Sequence, residues 1–117
     1  MDAIKYEDFA KLDLRVGTIL EAADHPDADK LLVLQVDLGT EKRQIVAGIK
    51  KHYTCEHLKG LQIIVVMNLE PRTLRGVMSH GMLLAATDDV NLSLLSPEQR
   101  IVAGELRNVI RNGSKVG

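Results

Sequence analysis

NLEPRTLRGVMSHGM, residues Asn68–Met82, lies between two apolar runs, Gln62–Met67 and Met82–Ala86, each the length of one strand. A hairpin needs only two to five residues to turn. This connection is about twice that, and long connections in compact domains are either functional or disordered. Pro71, Gly76 and Gly81 punctuate it, and Leu74, Val77 and Met78 supply apolar side chains to tuck inward, so the stretch reads as an ordered loop. Asn68, Arg72, Arg75, Ser79 and His80 offer an amide, two guanidiniums, a hydroxyl and an imidazole, a donor set suited to phosphate and ribose oxygens. An ordinary surface loop with two solvated arginines explains the local sequence equally well.

The residues before the loop decide what it closes. Tyr6–Lys11 predicts one amphipathic turn that sets Phe9 against the core. Leu12–Ala22 alternates, with Leu12, Leu14, Val16, Thr18 and Leu20 on one face, and predicts a long strand that bends or bulges at Gly17. Asp24–Lys30 (DHPDADK) is a polar loop. Leu31–Leu38 and Arg43–Ile49 predict two more strands joined through Gly39–Lys42, and His52–Leu58 predicts a short helix before Gly60. Gln62–Met67 and Met82–Thr87 then supply the fourth and fifth strands. Three strands, a helix and two strands is the order of an OB-fold, a five-stranded Greek-key barrel whose 1–2 and 4–5 loops help form its binding face. The fold class is therefore all-β with a short helix, and the loops Asp24–Lys30 and Leu69–His80 are expected to lie near one another.

Residues 1–87 complete that barrel, which leaves 88–117 as a C-terminal segment. It carries Leu92, Leu94, Leu95, Ile101, Val102, Leu106, Val109 and Ile110. Strand four is apolar on both sides, with Ile63, Val65 and Met67 opposite Ile64 and Val66, which implies burial on both faces. Either the tail folds over its own barrel or two barrels pair through these surfaces, with a slight preference for pairing. The end of the chain, with Arg107, Arg111 and Lys115, reads as an extra backbone contact or, for its last few residues, a frayed terminus.

Composition narrows the chemistry. The 117 residues hold 15 basic and 16 acidic side chains, a net charge of −1, so any nucleic-acid site is a local basic patch. One cysteine, Cys55, excludes an internal disulfide and fits a reducing cytoplasm. No stretch has the length of a signal peptide's apolar run or a membrane span. His52, Cys55 and His57 lack the fourth ligand of a structural zinc site, and Asp24, Asp27 and Asp29 lack the glycine and distal glutamate of a calcium loop. Ser79 and His80 are neighbours whose side chains diverge on extended backbone. No catalytic residue, metal or cofactor is therefore assigned. Tyr6, Phe9 and Tyr53 are the only aromatic residues, and none lies in the two loops. A barrel without aromatic platforms is expected to read backbone, ribose and shape on a folded RNA, with Met82 or an arginine beneath an exposed base.

Four blocks in order, DFAKLDLRVGTILEA (Asp8–Ala22), HPDADKLLVLQVDLG (His25–Gly39), IVAGI (Ile45–Ile49) and VVMNLEPRTLRGVMSHGMLLAA (Val65–Ala86), resemble the tRNA-binding domain appended to methionyl-tRNA synthetases. The blocks are similar also to stand-alone dimeric tRNA-binding proteins and to the endothelial-monocyte-activating-polypeptide domain. The resemblance implies an OB-fold that grips the outside corner of tRNA largely independently of sequence. It further implies a homodimer and an auxiliary, non-enzymatic role beside a methionyl-tRNA synthetase catalytic chain. It marks Lys30, Asn68, Arg72, Ser79 and Met82 as RNA contacts; Arg15, Lys42, Arg43 and Arg75 are added from charge and expected exposure. A related branch, the CsaA-like secretion chaperones, uses a similar dimeric barrel for polypeptides. The Pro71-Arg72…Ser79…Gly81-Met82 pattern and the Thr40–Arg43 turn look closer to the synthetase type.

Overall fold

A computed structural model describes all residues, Met1–Gly117. Helix α1 (Tyr6–Ala10) precedes strands β1 (Leu14–Asp24), β2 (Leu32–Asp37) and β3 (Lys42–Ala47); helix α2 (Cys55–Leu58) precedes β4 (Gln62–Val66). In β2 burial alternates, Leu32, Leu34 and Val36 inward, as a strand with one face on a core requires. Thr54 caps α2 by accepting the His57 N–H at 3.2 Å.

Strand β1 belongs to both halves of the barrel. Leu14–Thr18 pair antiparallel with β4, and Thr18–Asp24 pair antiparallel with β2. A register shift between Ile19 and Glu21 marks the bulge that lets one strand serve two partners. The main core lies on the side of Gly17 and Ile19, and past the bulge Ala22 takes over that side; Leu14 and Val16 point the other way, and Leu20, alternating with them, is exposed. Gly17 is not the bulge. A Cβ there would lie 2.7 Å from Val36 Cγ1, so the glycine lets β2 side chains pack tightly against β1.

The long loop is ordered, as expected, and contains a hairpin of β5 (Arg72–Leu74) and β6 (Val77–Ser79). The fifth barrel strand is β7 (Met82–Leu83), paired with β4 at Val65↔Leu83 and Val66↔Met82. The run expected to end that strand at Thr87 divides at Leu84. Its second part, β8 (Ala85–Thr87), pairs with β9 (Leu92–Leu94). That hairpin spans positions 87 and 88, so the barrel and the C-terminal segment share a two-stranded sheet. The Asp88 carboxylate closes the turn by accepting N–H bonds from Asn91 (2.6 Å) and Val90 (2.9 Å), and these hold its pKa below the ordinary carboxylate value.

The barrel closes between β3 and the residues around β6 without a regular ladder. Val46 N–H donates to the Ser79 hydroxyl (2.9 Å), which donates to the Gly81 carbonyl (3.0 Å). His80 N–H donates to the Gln44 carbonyl (2.8 Å), and the Gln44 amide donates to the Met78 carbonyl (2.8 Å). The strand sequence β1-β2-β3, then β7-β4 returning to β1, is the five-stranded OB arrangement. Inside sit Ile19, Leu34, Ile45, Leu58, Ile63 and Val65, all fully buried.

The second apolar face of β4 is covered by the chain itself. Ile64 and Val66 join Leu14 and Val16 in a small cluster closed by Leu84 and by Val116 of β12 (Lys115–Val116). The C-terminal residues are not frayed: β12 pairs with Leu14 and Arg15, and Gly113 N–H donates to Val16 O at 2.7 Å. Gly113 has φ +87, and a Cβ on it would lie 2.6 Å from Leu38 O, so only glycine lets the tail lie this close to the barrel.

Two parts stand away from the core. The hairpin of β10 (Gln99–Val102) and β11 (Glu105–Asn108) pairs with no other strand, and the cross-strand pair Ile101 and Leu106 is 69% and 61% exposed. Helix α1 buries no residue, contrary to the placement of Phe9 in the core; the Phe9 ring instead approaches Gly117. A compact chain of this length has a radius of gyration of about 13 Å and a surface of about 6,300 Å². The observed values are 14.9 Å and 7929 Å². Ser79 is 3% exposed, and removing its hydroxyl leaves Val46 N–H buried without an acceptor. Ser79→Ala is expected to lower stability by about 1–3 kcal/mol in urea unfolding; an unchanged midpoint would mean the seam does not need the hydroxyl.

Candidate nucleic-acid interface

The two loops expected to meet are joined by a histidine. His25 opens the β1–β2 connection and is 5% exposed. Asp27 N–H donates to its Nδ1 at 2.9 Å, so Nε2 carries the proton and donates to Leu74 O, 2.8 Å away in β5. This neutral imidazole ties the β1–β2 loop to the β5–β6 hairpin. In the sequence His25 stands only as the first residue of the HPDADK block. The signal available was a histidine opening an aspartate-rich turn, where a ring with one donor and one acceptor suits two backbone partners.

The latch brings Lys30 and Arg75 to one depression of about 380 Å³, with Asp27 and Asp29 on its lining. Arg72 and Met82 flank a small niche beneath the hairpin. Lys42 and Arg43 line a groove of about 480 Å³ with His80, the imidazole counted among the loop's donors. Arg15 lies farther on, in a cleft shared with Arg111 of the docked tail. That cleft and the Lys42 groove have Glu41 and Met67 in common, so the concavities adjoin along one side of the barrel.

The nine residues singled out from the sequence divide by what already holds them. Ser79 is buried in the seam. Asn68 bridges to the N-terminal segment, accepting Asp13 N–H at 2.8 Å and donating to Lys11 O at 2.5 Å. Arg15 donates to Asp13 Oδ1 (2.6 Å) and Gly113 O (3.3 Å); Arg43 donates to Met67 O (2.6 Å) and Glu41 Oε1 (3.3 Å). Lys30, Lys42, Arg72 and Arg75 make no ion pair, although seven other basic side chains do. Met82 is half-buried in β7. Of these four, Lys42 lies on β3, Arg72 and Arg75 on the β5–β6 hairpin packed beside it, and Lys30 in the β1–β2 connection that the His25 bridge ties to that hairpin.

The tRNA binding domain family matches residues 14–106. The methionine–tRNA ligase of Pyrococcus horikoshii is 57% identical over 104 residues, which are 89% of this chain and 14% of that protein. The chain thus spans about a seventh of the length of that relative. Among solved structures, a methionyl-tRNA-synthetase-related protein from Pyrococcus horikoshii superposes with a TM-score of 0.86 at 33% identity, covering all of both chains. The chaperone CsaA from Bacillus anthracis gives 0.82 at 30% identity, covering 99% of this chain and 100% of the other.

Arg75 is the strained member of the edge. It turns the β5–β6 hairpin together with Gly76, and both residues are left-handed, at φ 51 and 87. Two-residue turns of this hand favour Asn-Gly, because a Cβ-bearing side chain is costly at positive φ. An arginine there keeps an unpaired guanidinium at the tip against that local preference. Arg75→Asn is expected to raise stability by about 0.5–1 kcal/mol in thermal or urea unfolding. A loss of stability would show that the turn holds arginine without strain.

Proposed function

Because the chain belongs to the tRNA-binding domain family, we propose that it holds folded tRNA through phosphate and ribose groups. In this reading it adds that hold to a methionyl-tRNA synthetase without itself performing aminoacylation. The observation that carries the proposal is the edge of uncommitted cations, Lys30, Lys42, Arg72 and Arg75, on a protein of net charge −1. Met82 adds an apolar contact beside Arg72. Asn68, Ser79, Arg15 and Arg43 act from behind, holding the shape of the face through their internal hydrogen bonds. The aromatic rings lie outside the concavities along this edge, which supports recognition of shape over base identity. The catalytic chain of the synthetase is the natural partner, and the cytoplasm, where tRNA is charged, is the compartment this reading assigns.

The same reading makes the protein a twofold homodimer, residues 1–87 carrying the RNA contact and 88–117 the pairing. An isolated two-stranded hairpin is marginal in water, and β10–β11 presents Ile101 and Leu106 to solvent. The surface beyond that of a compact chain, about 1,600 Å², is enough for each protomer's share of a stable interface. No helix is long and apolar enough to cross a membrane.

The likeness to a CsaA chaperone gives a second reading, binding of unfolded polypeptide. Parallel titrations with folded tRNA, unstructured RNA and an unfolded polypeptide separate the two: the proposal expects tight binding to folded tRNA alone. Log affinity is expected to fall with log salt at a slope of about −2 to −4, and Lys30→Ala or Arg72→Ala to reduce it by about one unit. A slope insensitive to both variants would move the site elsewhere. Sedimentation at micromolar concentration is expected to give twice the 12.9 kDa chain mass; a monomer alone would remove the dimer.

A further inference from the structure

The groove between β3 and the first residues of the long loop contains two polar side chains with no partner in the protein, Lys42 and the His80 imidazole. The other charges there cancel, since Arg43 is committed to Glu41 and to Met67 O. Beside these groups lie Leu69, 46% exposed, and Pro71, also exposed. A single exposed leucine needs no explanation in general. Here it shares a concavity of about 480 Å³, within the range of small-ligand sites, with an uncompensated cation.

We propose that this groove takes one unstacked nucleotide of the bound RNA. Its base lies on the aliphatic surface of Leu69 and Pro71, its phosphate on Lys42, and its ribose hydroxyl against the His80 imidazole. This rests on the reading that the chain binds tRNA and adds a subsite to it. A phosphate alone would use the cation and leave the apolar surface idle. The side chains in the groove suited to reading a base edge are committed within the protein: the Gln44 amide donates to Met78 O and accepts from Gln35, and Arg43 is bonded to Glu41 and to Met67 O. The subsite therefore accepts any base, in keeping with recognition of shape. A polypeptide adding itself as a strand would need the free edge of β3. That edge is occupied, Gln44 O and Val46 N–H being bonded to His80 and Ser79.

The experiment uses the full chain and unfractionated folded tRNA, with affinity measured across a salt series and nucleotide accessibility read by base-modifying reagents. Leu69→Ser is expected to weaken binding about fivefold, on the order of the loss of one partly buried apolar side chain. The salt slope stays unchanged, and protection of one unpaired base is lost. Leu69→Met retains both affinity and protection, and Lys42→Gln reduces the slope while keeping the protection. Thermal melts of each variant separate a folding defect from a binding one. Parent-like affinity and protection in Leu69→Ser overturn the subsite while leaving tRNA binding intact. Absence of tRNA binding by the parent overturns the underlying reading and the subsite with it. Competition by a carboxymethylated unfolded polypeptide that Leu69→Ser abolishes assigns the groove to polypeptide and overturns the nucleotide.

Discussion

A five-stranded barrel must satisfy the backbone where its third and fifth strands meet, or leave buried polar groups exposed to an apolar core. Here one hydroxyl stands in for a missing rung. Ser79 accepts from Val46 N–H and donates to Gly81 O, so it bonds to the backbone on both sides of the seam. Much of the molecule depends on that exchange. It releases the chain after Met78 from a regular ladder, which leaves the β5–β6 hairpin standing beside β3 as a wall. It also places His80 where its N–H bonds to Gln44 O and its ring lines the groove. A continuous ladder would have closed the barrel more firmly and erased the concavities along this side.

The charge distribution follows a similar economy of commitment. Seven of the basic side chains are engaged with carboxylates of the same chain, and most of those pairs are solvent-exposed and weak. Their effect is to silence charge over most of the surface. Lys30, Lys42, Arg72 and Arg75 are left without an ion pair on one side of the molecule, even though the protein as a whole is slightly acidic. Arg15 and Arg43, chosen for charge and expected exposure, already have partners within the protein. Their guanidiniums are spent on carbonyls at Gly113 and Met67 and act as braces.

The strands that alternate along one partner were legible from sequence: β2 announces itself through Leu32, Leu34 and Val36, and β4 through its apolar run. Their arrangement as an OB barrel, and the meeting of the two loops, followed from element order. What escaped was whatever depends on a second partner. Leu20 alternates with Leu14 and Val16, yet that face is not the main core; Ile19 and, past the bulge, Ala22 meet the core instead. Ser79 reads as a surface donor because its acceptor and donor partners, Val46 and Gly81, are set by tertiary closure. Arg111–Val116 read as a loose end because nothing local reports that Gly113 fits against Leu38 O.

The His25 bridge has a consequence for the thermodynamics of recognition. Two independent loops would each surrender conformational entropy on meeting a ligand, and that loss would be subtracted from the affinity of every contact they make. With the imbedded imidazole bonded to Asp27 N–H on one side and Leu74 O on the other, the loops lose that freedom when the barrel folds. A ligand reaching this face meets loops already fixed in place, as one rigid body meeting another.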